Sequence, residues 1–207
     1  MNNTSNNKMK VASNNVVKVL GICGSLRKDS KNMQALKYMA SAAPGVGIDM
    51  EIADLTEVPF FNADIEHEKP PAVEKLLQQM IDADAFVLAT PEYNYSYTPA
   101  LKNALDWGSR IKDNRGFKQK AASMISVGGG HKGGRSQYHL RQVSVFLDLF
   151  VLNKPEVMLS GFDGTTFNEK GHLVDKASMD RMVQQLEALK ELSIKLNPKQ
   201  FTDDGHP

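Results

Sequence analysis

Short apolar runs and longer amphipathic stretches take turns along this chain. VVKVLGIC (16–23) is compact and rich in β-branched residues, which predicts a strand covered on both faces. After Ser30 the apolar positions change period. Met33, Leu36, Met39, Ala40 and Ala43 recur at helical spacing, with Ser30 as the cap and Pro44-Gly45 as the stop. Val46, Ile48, Met50 and Ile52 alternate, predicting a second strand over 46–53. Residues 54–70 show no period and form a long loop. Val73, Leu76, Leu77, Met80 and Ile81 then make the stripe of an amphipathic helix.

The alternation continues. AFVLATP (85–91) is the third strand, and Thr98 with Pro99 opens a helix that runs to Trp107 and stops at Gly108. AASMISV (121–127) is the fourth strand and leads into GGGHKGG. Leu140, Val143, Leu147 and Phe150 mark the next helix, PEVML (155–159) a fifth strand, and Met179, Met182, Val183, Leu186 and Leu189 the last helix. Strands and helices that alternate without an internal repeat predict a three-layer α/β sandwich around a parallel sheet. In such sheets ligands bind outside the carboxyl ends of the strands, near the switch in strand order.

Composition narrows the field. With 207 residues, 41% of them hydrophobic, the chain can bury one sizeable core, so one domain over 16–196 is expected. The polar, Asn-rich stretch 1–15 predicts a disordered lead-in, and 197–207 a short tail. The first fifteen residues resemble neither a signal nor a transit peptide, and no apolar run approaches the ~20 residues of a membrane span. A cytoplasmic protein is the expectation. The formal net charge of +1 argues against nucleic acid or an anionic membrane as partner. The single cysteine, Cys23, lies inside the first apolar run and predicts a buried structural thiol. The five histidines are scattered without metal-ligand spacing, and neither a Ser-His-Asp nor a Cys-His set is discernible.

Three strand exits carry the candidate chemistry. GSLRKDSKN (24–32) joins the first strand to a helix, where backbone N–H groups lack partners and the macrodipole adds positive charge. Gly24 permits close approach, Ser25 and Ser30 offer hydroxyls, Asn32 an amide, and Arg27 a fork for a phosphate. This loop matches neither G-x-x-x-x-G-K-[ST] nor G-x-G-x-x-G, so a monophosphate fits it better than a triphosphate or dinucleotide. The competing reading is a plain helix cap at Ser30 with Arg27 in solvent. PEYNYSYT (91–98) places Glu92, Tyr93, Asn94 and Tyr95 where a flat heteroaromatic ring could sit, or where a packing loop could run. GGGHKGG has five glycines in seven residues, which bring backbone donors near a ligand edge or simply leave a flexible loop. His131 in that loop is read as idle.

These motifs together resemble the NADPH-dependent FMN reductase family. GSLRKDSKN is similar to its G-S-x-R-x-x-S-x-N loop, and PEYNYSYTPALKNALDW to its P-E-Y-N-x-S…L-K-N-A-x-D-W segment. GGRSQYHLRQVSVFLDLFVLNKPEVM resembles the family's quinone reductases, the group also called class I chromate reductases. The likeness runs from about Val16 to Leu196.

The resemblance implies a flavodoxin-like fold with a five-stranded parallel sheet in the order 2-1-3-4-5. It implies FMN as cofactor, with Ser25, Leu26, Arg27, Lys28, Asp29, Ser30, Lys31 and Asn32 at the phosphate. Pro91, Glu92, Tyr93, Asn94 and Tyr95 would lie by the ring, and the backbone of Val127 and Gly128 along its edge. No catalytic side chain is needed, because the cofactor carries the hydride. It further implies ping-pong reduction of small-molecule electron acceptors (quinones, flavins, azo dyes or chromate) by NADPH or NADH. The alternatives are a flavodoxin-type electron carrier and a flavin reductase that uses FMN as substrate. Relatives of this kind form homodimers or homotetramers, with Arg135, Tyr138 and Glu156 as candidate interface residues. Gly128, Gly129 and Gly130 depart from the family pattern, so only backbone contacts carry over there.

Overall fold

The computed structural model describes residues 16–198, so the predicted lead-in and almost all of the predicted tail lie outside the described residues. β1 (Val17–Cys23), β2 (Ile48–Ile52), β3 (Ala85–Ala89) and β4 (Ala121–Gly128) form a parallel sheet in the order β2-β1-β3-β4. The fifth position is shared by β5 (Phe150–Val151) and β6 (Val157–Ser160), both paired with β4. This is the flavodoxin-like order that the family resemblance implied. The register sets Val17 beside Ile48 and Cys23 beside Ala89, which brings the carboxyl ends of β1 and β3 level.

Helices cover both faces: α1 (Lys31–Ala42), α2 (Pro71–Asp82), α3 (Pro99–Gly108), α4 (Gly134–Phe146) and α5 (Lys176–Leu196). The period of two in β1 divides the core. Val17, Val19 and Cys23 pack with Leu36, Met39, Met182 and Leu186 on one side. Leu20 and Ile22 pack with Leu76, Met80, Phe86 and Trp107 on the other. A strand buried on both sides needs no polar positions, which is why the runs were nearly continuous.

Several boundaries differ from the sequence expectation. Val46 belongs to a 3₁₀ turn over Ala43–Val46 that absorbs Pro44, so β2 starts at Ile48. The fifth strand is broken in two rather than one run over 155–159, because Pro155 has no N–H for the ladder. Phe150 is not on a helix. α4 ends at Phe146, and Asp148 at φ 56° turns the chain into β5. Gly108 is the last helical residue, not the stop. A Cβ there would lie 2.5 Å from the Phe117 ring, so the glycine serves packing.

Candidate functional site

The first exit is capped as the pattern requires. Ser30 Oγ accepts from Met33 N at 3.1 Å and starts α1. Thr98 does two things. It caps α3, accepting from Leu101 N, and its hydroxyl donates to Gly24 O at 2.6 Å. Gly24 N in turn donates to Ala89 O at 2.7 Å. The first and second exits are thereby stitched together. A Cβ on Gly24 would stand 2.4 Å from Thr98 Oγ1, so this position tolerates only glycine.

Asn32 joins the first exit to the third. Its Nδ2 donates to Val127 O at 3.1 Å and its Oδ1 accepts from Val127 N at 2.9 Å, both inside the protein. The amide expected to point at a ligand is thus spent on the backbone of β4. Lys31 Nζ donates to Gly161 O and lies 5.4 Å over the Phe162 ring and 5.6 Å over the Phe167 ring. Leu26, Arg27, Lys28 and Asp29 form the exposed part of the loop, while Ser25 is buried. Cys23, just before it, is buried, and burial pushes its thiol pKa up, in keeping with a structural role.

The second exit is a tight left-handed turn. Tyr93 and Ser96 pair across it, and Asn94 (φ 50°) and Tyr95 (φ 68°) occupy its centre. Asn tolerates that conformation, but tyrosine there is strained. Tyr95 is held from outside: the Arg135 guanidinium stacks 3.7 Å from its ring centroid. Arg135 Nε also donates to Glu92 Oε1 at 2.6 Å. Glu92 Oε2 is buried and has no hydrogen-bond partner among the described residues. A buried acceptor without a partner is costly, and one beside a cavity invites a donor from a ligand.

Ser25, Arg27, Asn32, Glu92, Val127 and Phe162 line one cavity of about 260 Å³. Pro91, Tyr93, Gly128 and Gly161 lie in its wall as well. The three exits singled out in the sequence therefore meet. A fourth, Gly161-Phe162 after β6, joins them, with Gly161 N donating to Gly128 O at 2.8 Å. Sequence reasoning passed over it, since only a lone exposed aromatic after a weak strand signals it. A second cavity of about 330 Å³ adjoins the first and shares Arg27 and Tyr93 with it. Leu55, Thr56, Val58 and Phe60 of loop 54–70 line it.

His131 sits on the exposed turn after β4, outside these linings. Arg135, Tyr138 and Glu156 do not converge within the chain: Glu156 pairs with Lys154 at 2.8 Å, and Tyr138 is exposed. Among the described residues no group of three or more His, Cys, Asp or Glu is placed to hold a metal, and no helix is long and apolar enough to cross a membrane.

The residues fit FMN chemically. One end of the cavity offers a basic, hydroxyl-bearing loop at a helix N-terminus. The other offers aromatic faces, glycine backbone and the unpartnered Glu92 oxygen. Fold and site together define a flavodoxin-like flavin-binding oxidoreductase. The model of the NADPH-dependent FMN reductase family matches residues 17–164, and the chain belongs to that family. It is 44% identical to an NAD(P)H:quinone oxidoreductase of Solanum tuberosum over 91% of this chain and 99% of the relative. It is 45% identical to an NAD(P)H-dependent FMN reductase of Pseudomonas aeruginosa over 84% of this chain and 93% of that one. Among solved structures, the flavoenzyme NAD(P)H:(acceptor) oxidoreductase FerB from Paracoccus denitrificans superposes with a TM-score of 0.77 at 26% identity, covering 87% and 98% of the two chains.

Proposed function

We propose that this protein is an FMN-dependent oxidoreductase that passes electrons from NADPH or NADH to quinones. The observation that carries the reading is the meeting of the first three exits in one cavity, anionic-ligand chemistry at one end and ring chemistry at the other. Bound FMN supplies reversible hydride transfer. The chain's own residues bind, orient and shield. Arg27, Ser25 and the first turn of α1 take the phosphate through charge-assisted and backbone donors, and Lys28 and Lys31 add positive charge. Pro91 to Tyr95 shape the ring side. Val127 and Gly128 present backbone to its edge, held in place by Asn32. Flavins, azo dyes and chromate are further acceptors that such a site would reduce.

The test is direct. Purified protein should carry a flavin visible spectrum after gel filtration. Anaerobic NADPH should bleach it, and a quinone should restore it. Parallel double-reciprocal lines are expected, because donor and acceptor use one site in turn. Colourless protein that gains no activity with FMN would overturn the reading.

We propose too that the chain forms a homodimer or homotetramer. Tyr138, Val145 and Phe146 leave α4 exposed at 60%, 80% and 75%, an apolar stripe unusual for a free helix face. Sedimentation as a 22.9 kDa particle at micromolar concentration would refute assembly.

A further inference from the structure

Apart from Arg27 and Tyr93, the residues around the second cavity have no part in the roles above. Leu26, Leu55, Val58, Phe60 and Tyr93 form its walls, with Pro99 and Ala100 beneath. Three of these are exposed at its rim: Leu26 at 62%, Phe60 at 75% and Tyr93 at 51%. Its polar neighbours are already engaged. Thr98 Oγ1 donates to Gly24 O, Thr56 Oγ1 donates to Asp54, and Asn103 holds the loop opposite. Arg27, at the boundary with the cofactor cavity, is the one charged side chain among the described residues of the lining. A polar guest would leave its hydrogen-bonding groups unmet there, while an apolar guest gains by displacing water.

The wall is built rather than loose. Pro59 O accepts from both Asn103 Nδ2 at 2.9 Å and Trp107 Nε1 at 2.8 Å, and Phe61 N donates to Asn103 Oδ1 at 2.7 Å. Phe61 meets the fully buried Trp107 edge to face at 5.1 Å. The loop carrying Leu55, Val58 and Phe60 is therefore anchored to α3, and a guest need not order it.

We infer that this cavity is a subsite for the apolar substituent of the electron acceptor, so that alkyl- or prenyl-substituted quinones are the favoured class. The head group lies at the cofactor cavity, past Tyr93, and the chain lies between Leu55, Val58 and Phe60. The inference rests on the quinone-reductase reading and sharpens it: compact acceptors such as oxyanions use the head position alone.

The test is a series of para-benzoquinones bearing methyl, propyl, pentyl and heptyl groups, reduced by the flavin-loaded protein. Beyond the first carbon the quinone's potential barely changes, so chain length reports contact. The value of kcat/KM should climb by up to about fourfold per added methylene until the cavity is full. The dissociation constants of the matching hydroquinones, measured by calorimetry on the oxidised holoenzyme, should fall in step. Phe60→Ser and Val58→Ser should flatten both slopes, read as the heptyl-to-methyl ratio. Turnover with a flat profile and chain-independent affinities overturns the subsite while leaving the parent reading intact. Absence of quinone turnover at every length by yellow protein removes the parent reading and the subsite with it.

Discussion

Asn32 and Val127 are separated by 95 residues, yet the amide of one closes a two-bond pair with the backbone of the other at 3.1 and 2.9 Å. The pair is buried, so neither group has water as a substitute. It locks the phosphate-type loop to the exit of β4 and sets the spacing between the two ends of the cavity.

Asn32→Ala should therefore loosen two exits at once. Val127 N and O lose their partners inside the protein, a cost of about 2–3 kcal/mol. A lowered urea midpoint in the flavin-free protein, together with weaker FMN binding, is the expected outcome. An unchanged midpoint would show that water reaches the gap.

Arg27 acts by a different route. It is exposed and bears no structural load that a hydrogen bond reveals, so Arg27→Ala should leave the thermal midpoint of the apoprotein almost unmoved. FMN affinity should drop by about 1.5–3 kcal/mol, the worth of a charge-assisted bond, or roughly tenfold to a hundredfold in Kd. Dialysis followed by flavin quantification reads this. A variant that keeps its flavin fully would remove Arg27 from the phosphate.

The Arg135–Glu92 pair supports the strained turn at Asn94 and Tyr95. Arg135→Met leaves a mostly buried carboxylate without its cation and strips the stacking from Tyr95. The single variant should lose about 1–3 kcal/mol. Adding Glu92→Gln should return part of it, because the orphaned charge is gone. Chemical denaturation of the two singles and the double gives the coupling. A strictly additive result would mean the pair is indifferent to folding.

Lys120 predicts a pH effect far from the site. Burial pushes its pKa down to about 8 from 10.5, and its ammonium donates to Met80 O and Ile81 O at the end of α2. Between those two values the unfolded chain holds more protons than the folded one, so unfolding free energy rises with pH there. The burial penalty is full below the lower value. Compared with Lys120→Met, the native protein should gain thermal midpoint as pH climbs through this window. Parallel curves would contradict it.

Much of this was written in local pattern. Ser30 and Thr98 cap helices as their positions demanded, and the apolar runs became the strands, because burial on both faces leaves no polar signal to confuse. GSLRKDSKN and PEYNYSYT were visible as exits since packing has no use for such residues at a strand end. Other features had no local sign. Gly108 is required only because Phe117 folds against it. The role of Asn32 depended on Val127 arriving opposite, and the role of Thr98 on Gly24.

The sequence by itself determined the order of strands and helices, the caps at Ser30 and Thr98, and which loops would be rich in donors and rings, for these follow from periodicity and from chemistry within a few residues. Only the tertiary structure decided what those loops do to one another. It brought Asn32 to Val127, Arg135 to Tyr95, and Pro59 to Asn103 and Trp107. Contacts between residues tens of positions apart are set by how the sheet twists and the helices pack, and no period along the chain encodes them.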